Sequence, residues 1–207
     1  MIRRPSICNG RAWGAITGVI LTLALAGEAA AVTSRRQDAR TAGPALNVCE
    51  REMIRAAREF RVPVNILYAV GLTETGRRGS LQPYAMNIAG AAYFAPSKQD
   101  AIRRLDEERA RGVRLIDLGC MQINHHYHHK NFSSSSEMLD PRSNVNYAAK
   151  FLKELRQREG NWTMAVARYH AGPNNNPAQK RYICRVITNM VATGFGNWTP
   201  KAKQFCE

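Results

Sequence analysis

Apolar residues recur with the period of an α-helix over most of the chain after residue 46. The clearest case lies between Ser143 and Gly160, where positions 145, 148, 149, 152 and 155 are all valine, alanine or leucine. Asparagine or serine precedes several such stretches and glycine follows them, as is typical of helix starts and ends. The pattern predicts helices over residues 47–60, 64–75, 97–111, 143–160, 161–171 and 177–193, and a helical turn at 134–139.

The helix predicted over residues 64–75 has no polar face. Pro63 suits a first helical position and Gly76 suits a helix end. A helix that is apolar all round is normally buried, so we expect this one at the centre of the domain. Its apolar residues include Ile66, Leu67, Ala69, Val70 and Leu72, which leave no side of the helix polar.

Two segments depart from the helical pattern. Residues 81–96 contain proline, asparagine and glycine with a short apolar alternation, which indicates an irregular lobe or a small hairpin. Residues 119–132 are expected to form a loop or a short helix. The elements together predict an α+β fold, mainly α, with one small irregular or hairpin lobe.

The start of the chain has the pattern of a secretory signal peptide. Arginines at positions 3, 4 and 11 precede a mostly apolar, uncharged run over residues 12–27, and alanines follow at 29–31. The run is shorter than the ~20 residues of a spanning helix, although an uncleaved anchor is an alternative. Either form leaves the rest of the chain outside the cytoplasm. The predicted organisation is a signal peptide over 1–31, a linker over 32–46 and a domain over 47–207.

Composition narrows the class of partner. The 207 residues include 30 lysines and arginines against 16 acids, a formal net charge of +14, and 44% are apolar, which argues against a disordered chain. A basic protein is expected to meet an anionic partner such as nucleic acid, a membrane surface or an acidic cell-wall polymer. The basic residues are scattered, and no nucleic-acid-binding module is recognisable, so nucleic acid is not the predicted partner.

The cysteines suit an oxidising compartment. Of the five, Cys8 lies in the predicted signal peptide, and four remain without any CxxC pair, which argues against a zinc ribbon or a redox motif. Two disulfides are expected, with three possible connectivities, and four free thiols are the alternative. The connectivity that we favour pairs Cys184 with Cys206 and Cys49 with Cys120.

One acidic residue stands near the end of the apolar helix. Glu74 lies in the segment GLTETG, where apolar neighbours and the negative pole of the helix C-terminus both disfavour a charged carboxylate. Both effects raise the pKa, and an acid that keeps its proton near neutral pH can protonate a leaving oxygen. A side chain that simply reaches solvent past the helix end is the alternative.

Three motifs in order carry a resemblance to a known family. Glu74-Thr75 corresponds to a Glu-Ser pair that closes an apolar helix, residues 119–124 (GCMQIN) to a Gly-Leu-Met-Gln-Ile-Asn motif, and residues 168–172 (RYHAG) to an Ala-Tyr-Asn-Ala-Gly motif. Over about residues 47–172 the chain thus resembles the SLT-type lytic transglycosylases, bacterial peptidoglycan-cleaving enzymes with a lysozyme-like fold. It is most similar to the branch associated with type IV secretion and conjugation.

The resemblance implies a mechanism without a cofactor or a metal. A single glutamate protonates the oxygen that leaves N-acetylmuramic acid, then takes a proton from the primary hydroxyl of that sugar, which closes a 1,6-anhydro ring without water. Here the acid and base would be Glu74, with Thr75 keeping a hydroxyl beside it. The other implied contacts are hydrogen bonds from Gln122, Asn124 and Tyr169 to the glycan, and a groove floor at Met121.

The resemblance also implies a location and partners. The enzyme would act in the periplasm on peptidoglycan glycan strands, and components of a secretion or conjugation apparatus would be its further partners. In place of the family's Leu and Asn, the chain has Cys120 and His170.

Alternatives to this function use the same residues differently. Asp117 could serve as a second carboxylate, as in a goose-type lysozyme that hydrolyses the bond with water. A protein that keeps the fold but only binds the wall is a further alternative, and so is a secreted nucleic-acid binder suggested by charge alone.

Two other patterns, a histidine-rich segment and three glycosylation sequons, do not change the predicted function. Residues 125–129 (HHYHH) contain histidines four apart that could bind a metal, but no cysteine or carboxylate stands at a characteristic spacing, so a loop at the edge of a cleft is the favoured interpretation. Three glycosylation sequons, at Asn131, Asn161 and Asn197, are taken as coincidental, because the resemblance is to a bacterial family.

Overall fold

The computed structural model describes residues 46–77, 79–172 and 174–207. The predicted signal peptide (1–31) and nearly all of the predicted linker (32–46) lie outside the described residues. Within the described ranges, no helix has the length and apolar character needed to cross a membrane.

The helical predictions are largely confirmed. Asn47 caps the first helix with a reciprocal capping box, in which its side chain accepts a hydrogen bond from the Glu50 amide and its own amide donates to the Glu50 carboxylate. The described residues form α1 Val48–Phe60, α2 Val64–Thr75, α3 Lys98–Ala110, α4 His125–His128, α5 Ser135–Met138, α6 Pro141–Glu159, α7 Trp162–His170, α8 Asn176–Ala192 and α9 Pro200–Cys206, with a 3₁₀ turn at His129–Asn131.

Two helices differ from the prediction, one in its first residue and one because it was not predicted. Helix α6 begins at Pro141 rather than 143, because the Asp140 side chain accepts a hydrogen bond from the Ser143 amide and caps the helix two residues earlier. Helix α9, which the sequence analysis did not predict, is short and is capped by Thr199.

Helix α2 is central, as its apolar pattern predicted. It packs against α1 and α8, and six of its residues are buried. Gly71 allows the close approach, since a Cβ at this position would clash with the side chain of Met53 on α1 and lie 3.1 Å from Leu81. The tight packing holds the C-terminal end of α2, and therefore Glu74, in a defined place.

A four-stranded antiparallel sheet lies beside the helices. Its strands are β1 Ala85–Ile88, β2 Ala91–Phe94, β3 Ile116–Leu118 and β4 Ile123–Asn124, in the order β2-β1-β3-β4. The small hairpin expected within 81–96 is β1–β2. Strands β3 and β4 were not predicted, and residues 119–132 therefore contain a strand as well as the short helix that was one of the two expectations.

A buried asparagine fixes the turn between β3 and β4. Asn144 on α6 is fully buried, accepts a hydrogen bond from the Met121 amide at 2.9 Å and donates to the carbonyls of Leu118 and Met138, both at 2.9 Å. The turn passes so close to Asn144 that a Cβ at Gly119 would lie 2.6 Å from its Nδ2, and Gly119 also has a positive φ of 79°. The conformation of residues 119–122 is thereby set from the helical side.

Two disulfides join the pairs that the sequence analysis favoured. Cys49 bonds to Cys120, which ties α1 to the β3–β4 turn, and Cys184 bonds to Cys206, which ties α9 to α8. Cys120 is fully buried, so this cysteine fills the apolar position of its motif and forms a disulfide as well.

Candidate active site

Glu74 lies at the penultimate position of α2, at the edge of a groove between the helices and the sheet. Its side chain is 14% exposed, and its Oε1 accepts a hydrogen bond of 2.6 Å from the hydroxyl of Tyr182. Burial raises the pKa of Glu74 from 4.5 to about 7; the Tyr182 hydrogen bond and the charge of Arg185 oppose the rise, and the charge of Asp117 adds to it. Near neutral pH the carboxyl group therefore exists in both protonation states.

Tyr182 is a candidate site residue that the sequence analysis did not identify. It lies on α8, is fully buried, and reaches Glu74 across 108 positions of the chain. A second hydrogen bond between the same two helices, from Asn189 to the Thr73 hydroxyl at 2.8 Å, keeps α8 in register with α2. The available signal was a tyrosine within the apolar stripe of a helix, beside Ile183 and Val186.

The groove has a volume of about 740 Å³ and receives side chains from the end of α2, the sheet and α7. A cavity of this size accommodates several sugar rings or a comparable chain. Its lining brings together predicted site residues that are distant in sequence, namely Glu74, Asp117, Gln122, Asn124, Tyr169 and His170.

Asp117 is a second carboxylate in the same groove. It lies in the middle of β3, and its Oδ1 accepts a hydrogen bond of 2.7 Å from the Asn124 side chain. Burial raises the pKa of Asp117, while the Asn124 hydrogen bond lowers it. The groove thus contains two partly buried acids of different surroundings.

The three predicted glycan contacts line the groove, and each also has a partner within the protein. The side-chain nitrogen Nε2 of Gln122 donates to the backbone carbonyls of Ala85 and Gly119, at 2.9 and 3.1 Å. The Asn124 amide nitrogen donates to Asp117, and the Tyr169 hydroxyl donates to the Met121 carbonyl at 2.7 Å. These bonds hold the side chains in place against the groove wall.

Thr75 and Met121 do not reach the groove. Met121 is fully buried in the core, and Thr75 is 3% exposed, with its hydroxyl bonded to the carbonyls of Gly71 and Cys120. Their placement does not support the expectation that they contact substrate. The physical reason is that Thr75 faces away from Glu74 into the helix packing, where it connects α2 to the β3–β4 turn.

His170 stands beside the candidate acid. Its Nδ1 lies 3.9 Å from Glu74 Oε1, and its ring stacks on Tyr182 with 4.2 Å between centroids and 1° between planes. Burial, together with the charges of Arg185 and Arg181, lowers the pKa of His170. The imidazole is therefore neutral near pH 7, and its contact with Glu74 is not an ion pair under those conditions.

The histidines at 125–129 differ in exposure: His125 is buried, His126 and His128 are half-buried, and His129 is exposed. The rings of His125 and His129 stack at 5.1 Å, and burial with nearby cationic side chains lowers the pKa of His125 to about 4. His128 lines the groove and its Nδ1 lies 2.8 Å from the Tyr147 hydroxyl. In the described ranges, no three or more His, Cys, Asp or Glu side chains are grouped so as to hold a metal ion.

A small antiparallel sheet beside a helical core, with an acid at the end of a central helix facing the groove, defines a lysozyme-like fold of the α+β class, mainly α. The chain belongs to the SLT transglycosylase family: the family model described as "Transglycosylase SLT domain" matches residues 52–185. The match contains Glu74, Asp117, Tyr169 and Tyr182. SLT domains act on peptidoglycan. Comparison with curated proteins and with solved structures gives no match.

Proposed function

We propose that the protein is a peptidoglycan lytic transglycosylase that cleaves the β-1,4 bond between N-acetylmuramic acid and N-acetylglucosamine, with Glu74 as its acid and base. The observation that carries the proposal is the raised pKa of this carboxyl group, about 7, in a groove large enough for a glycan. A group that titrates near neutral pH can give and regain a proton in one catalytic cycle. Membership in the SLT family supports the choice of substrate.

The reaction needs no water. Protonated Glu74 donates its proton to the glycosidic oxygen as the bond from that oxygen to C1 of the muramic residue breaks, and the neighbouring acetamido group stabilises the cationic C1. The Glu74 carboxylate then takes the proton of the C6 hydroxyl while O6 bonds to C1, which closes the 1,6-anhydro ring. Glu74 ends the cycle protonated, as it began.

The protein groups around Glu74 have separate tasks in this proposal. Tyr182 donates to Oε1, which leaves Oε2 as the atom that carries the transferred proton. Gln122, Asn124 and Tyr169 form the polar wall along which the glycan lies. Thr75 and Met121 act behind the wall, where they position the end of α2 and the β3–β4 turn.

The experiment compares the wild-type protein with Glu74→Gln on purified cell-wall sacculi, with mass spectrometry of the released muropeptides. We expect the wild type to release products with anhydro ends and Glu74→Gln to lose about 10²–10⁴-fold in rate, the usual contribution of a general acid. Glu107→Gln, an exposed residue on α3, makes the same chemical change away from the groove and serves as the control. Digestion by Glu74→Gln at the wild-type rate would refute the assignment.

A goose-type hydrolysis is the second candidate, because Asp117 lines the same groove as Glu74. In that reaction a second carboxylate directs water to C1, and the products carry reducing ends rather than anhydro ends. The hydrogen bond that Asp117 accepts from Asn124 occupies one of its oxygens and favours a supporting role instead. Reducing ends that disappear in Asp117→Asn would establish the hydrolase.

A wall-binding protein without turnover is a third candidate. Wild-type protein that binds sacculi but releases no muropeptide would favour it over both enzymatic functions.

We also propose a periplasmic location and a role in opening the wall for a secretion or conjugation apparatus. The signal-peptide pattern over 1–31, the two disulfides and a substrate outside the cytoplasm support the location. The proposed role with such an apparatus is based on the resemblance to the secretion-associated branch. Co-purification of the protein with cross-linked envelope complexes tests this role.

A further inference from the structure

A second cavity, of about 700 Å³, adjoins the groove that contains Glu74. His170 lines both cavities. We call it the basic cavity, because its wall on α8 carries Lys180, Arg181 and Arg185.

The basic cavity has an excess of positive charge. Among the described residues, Glu207 is the acidic residue that lines it, and none of the three cations forms an ion pair with a carboxylate within 4 Å. Lys180 and Arg185 instead lie over the rings of Phe205 and Tyr182, at 5.7 Å from each centroid. Charges of one sign that are collected in a concave wall attract an anionic ligand.

The shape of the basic cavity is held covalently. The disulfide between Cys184 and Cys206 lines it and ties α9 to α8 at the level of the cations. His170 also lines the cavity, and its ring is stacked on the buried Tyr182. Two residues that line the cavity, His170 and Arg185, also act on Glu74, the first by its contact at 3.9 Å and the second by its charge.

We propose that the basic cavity binds the carboxylates of the peptide stem of peptidoglycan. The proposal rests on the proposed function. The muramic residue at the cleaved bond carries its stem on a lactyl group, so the stem leaves the glycan next to Glu74. Of the neighbours of Glu74, the wall beyond His170 offers unpaired cations to the carboxylates of such a peptide. Cleavage is then selective for muramic residues that still carry a stem.

The test variant is Lys180→Glu/Arg181→Glu, which reverses two charges of the basic cavity. Arg185 is left unchanged, because its charge also lowers the pKa of Glu74. The control is Arg58→Glu/Arg142→Glu, which changes the net charge equally at two exposed positions that line neither cavity. Circular dichroism and thermal unfolding verify that both variants fold.

Two substrates are compared: glycan strands with peptide stems, and the same strands after an amidase has removed the stems and left the lactyl carboxylates. The readout is the ratio of kcat/KM for the two substrates. We expect the wild type and the control to prefer stem-bearing strands, and the test variant to lower the preference about five- to ten-fold, as two partly exposed charge contacts would. An unchanged ratio overturns the proposal, as does an equal loss on both substrates, which would mean attraction to lactyl groups or to the polymer in general.

A binding measurement separates this proposal from the proposed function. Fluorescence anisotropy on a Glu74→Gln background compares a labelled tetrasaccharide with stems and one without. A stem preference that the double variant removes supports the cavity even if the wild type cleaves neither strand, whereas equal affinities for both tetrasaccharides overturn the cavity proposal. Failure of cleavage alone would refute only the enzymatic function.

Discussion

The two walls of the groove each carry one carboxyl group, and the surroundings of the two groups differ. On the helical wall, Glu74 stands at the end of an apolar helix and receives a hydrogen bond from a fully buried tyrosine. On the sheet wall, Asp117 receives its hydrogen bond from an amide, that of Asn124. Burial raises the pKa of both acids, that of Glu74 to about 7.

The difference between the two walls suits the roles proposed for these acids, proton transfer for Glu74 and support for Asp117. A helix end adds a negative pole to the cost of desolvation, whereas a strand has almost no net dipole. Asp117 in turn raises the pKa of Glu74 through its own charge. A charge on the sheet wall therefore contributes to the pKa of the acid on the helical wall.

The largest expected effect comes from removing each carboxyl group in turn. Glu74→Gln is expected to lose about 10²–10⁴-fold in kcat, and Asp117→Asn no more than about ten-fold, because only Glu74 transfers a proton. Asp117→Asn also removes a charge that raises the pKa of Glu74, so the pH at which activity is half-lost should fall. Rates on sacculi between pH 4 and 9 measure both effects. Equal inactivation by the two substitutions would contradict the division of roles.

Next in size is a change in stability with pH. An unfolded glutamate titrates near 4.5 and folded Glu74 near 7, so between these values the unfolded chain binds fewer protons and the wild type loses stability as pH rises. Glu74→Gln lacks this loss. Its stability relative to the wild type should therefore increase by about 3 kcal/mol from pH 4 to pH 8. Urea unfolding at both pH values measures the change; a constant difference would mean that Glu74 titrates as a solvated side chain.

A smaller effect is expected from Tyr182→Phe. This substitution removes the donor to Glu74 and leaves the donor to Asp117, which is Asn124, in place. The tyrosine hydroxyl lowers the pKa of Glu74, so its removal should raise that pKa and move the alkaline limb of the activity profile to higher pH. The loss of one hydrogen bond to a charged group corresponds to about 1.5–3 kcal/mol for the carboxylate form. The pH dependence of kcat/KM gives the displacement. Tyr147→Phe, which removes a hydroxyl bonded to His128 rather than to Glu74, is the matched control.

The smallest effect is expected from His170→Asn, which restores the residue that the resemblance implies. Since the imidazole is neutral near pH 7, the exchange should alter the rate less than about three-fold there, as a contact at 3.9 Å without an ion pair would. A protonated imidazole would favour the charged form of the neighbouring Glu74, so the two activity profiles should diverge on the acidic side. Parallel profiles over the whole range would remove His170 from the electrostatics of the site.

Much of the helical framework could be predicted because its signals are local. Asn47 and Glu50 are three residues apart and form their capping box within one turn. The bounds of α2 follow in the same way from Pro63 and Gly76. Strands β3 and β4 have three and two residues, too few for an alternating pattern, and they form because β3 pairs with β1 and β4 pairs with β3.

The sequence alone pointed to Glu74 as the candidate acid, but it did not predict which side chains surround Glu74. Glu74 stands out because a charge at the end of an apolar helix is locally anomalous. Met121 and Thr75 lie next to groove residues in sequence, yet the turn fixed by Asn144 and the packing of α2 direct their side chains inward. Neighbours in a motif can thus occupy opposite sides of a wall.

The sequence by itself determined most helix bounds, the position of the candidate acid and an even set of four cysteines after residue 31, because capping, helical periodicity and charge act over a few residues. Tertiary structure alone decided that Tyr182 would meet Glu74 from 108 positions away and that Asp117 would share its groove. It also collected the cations of α8 beside His170. These contacts depend on how α8 and the sheet pack against α2, and packing is a property of the whole folded chain.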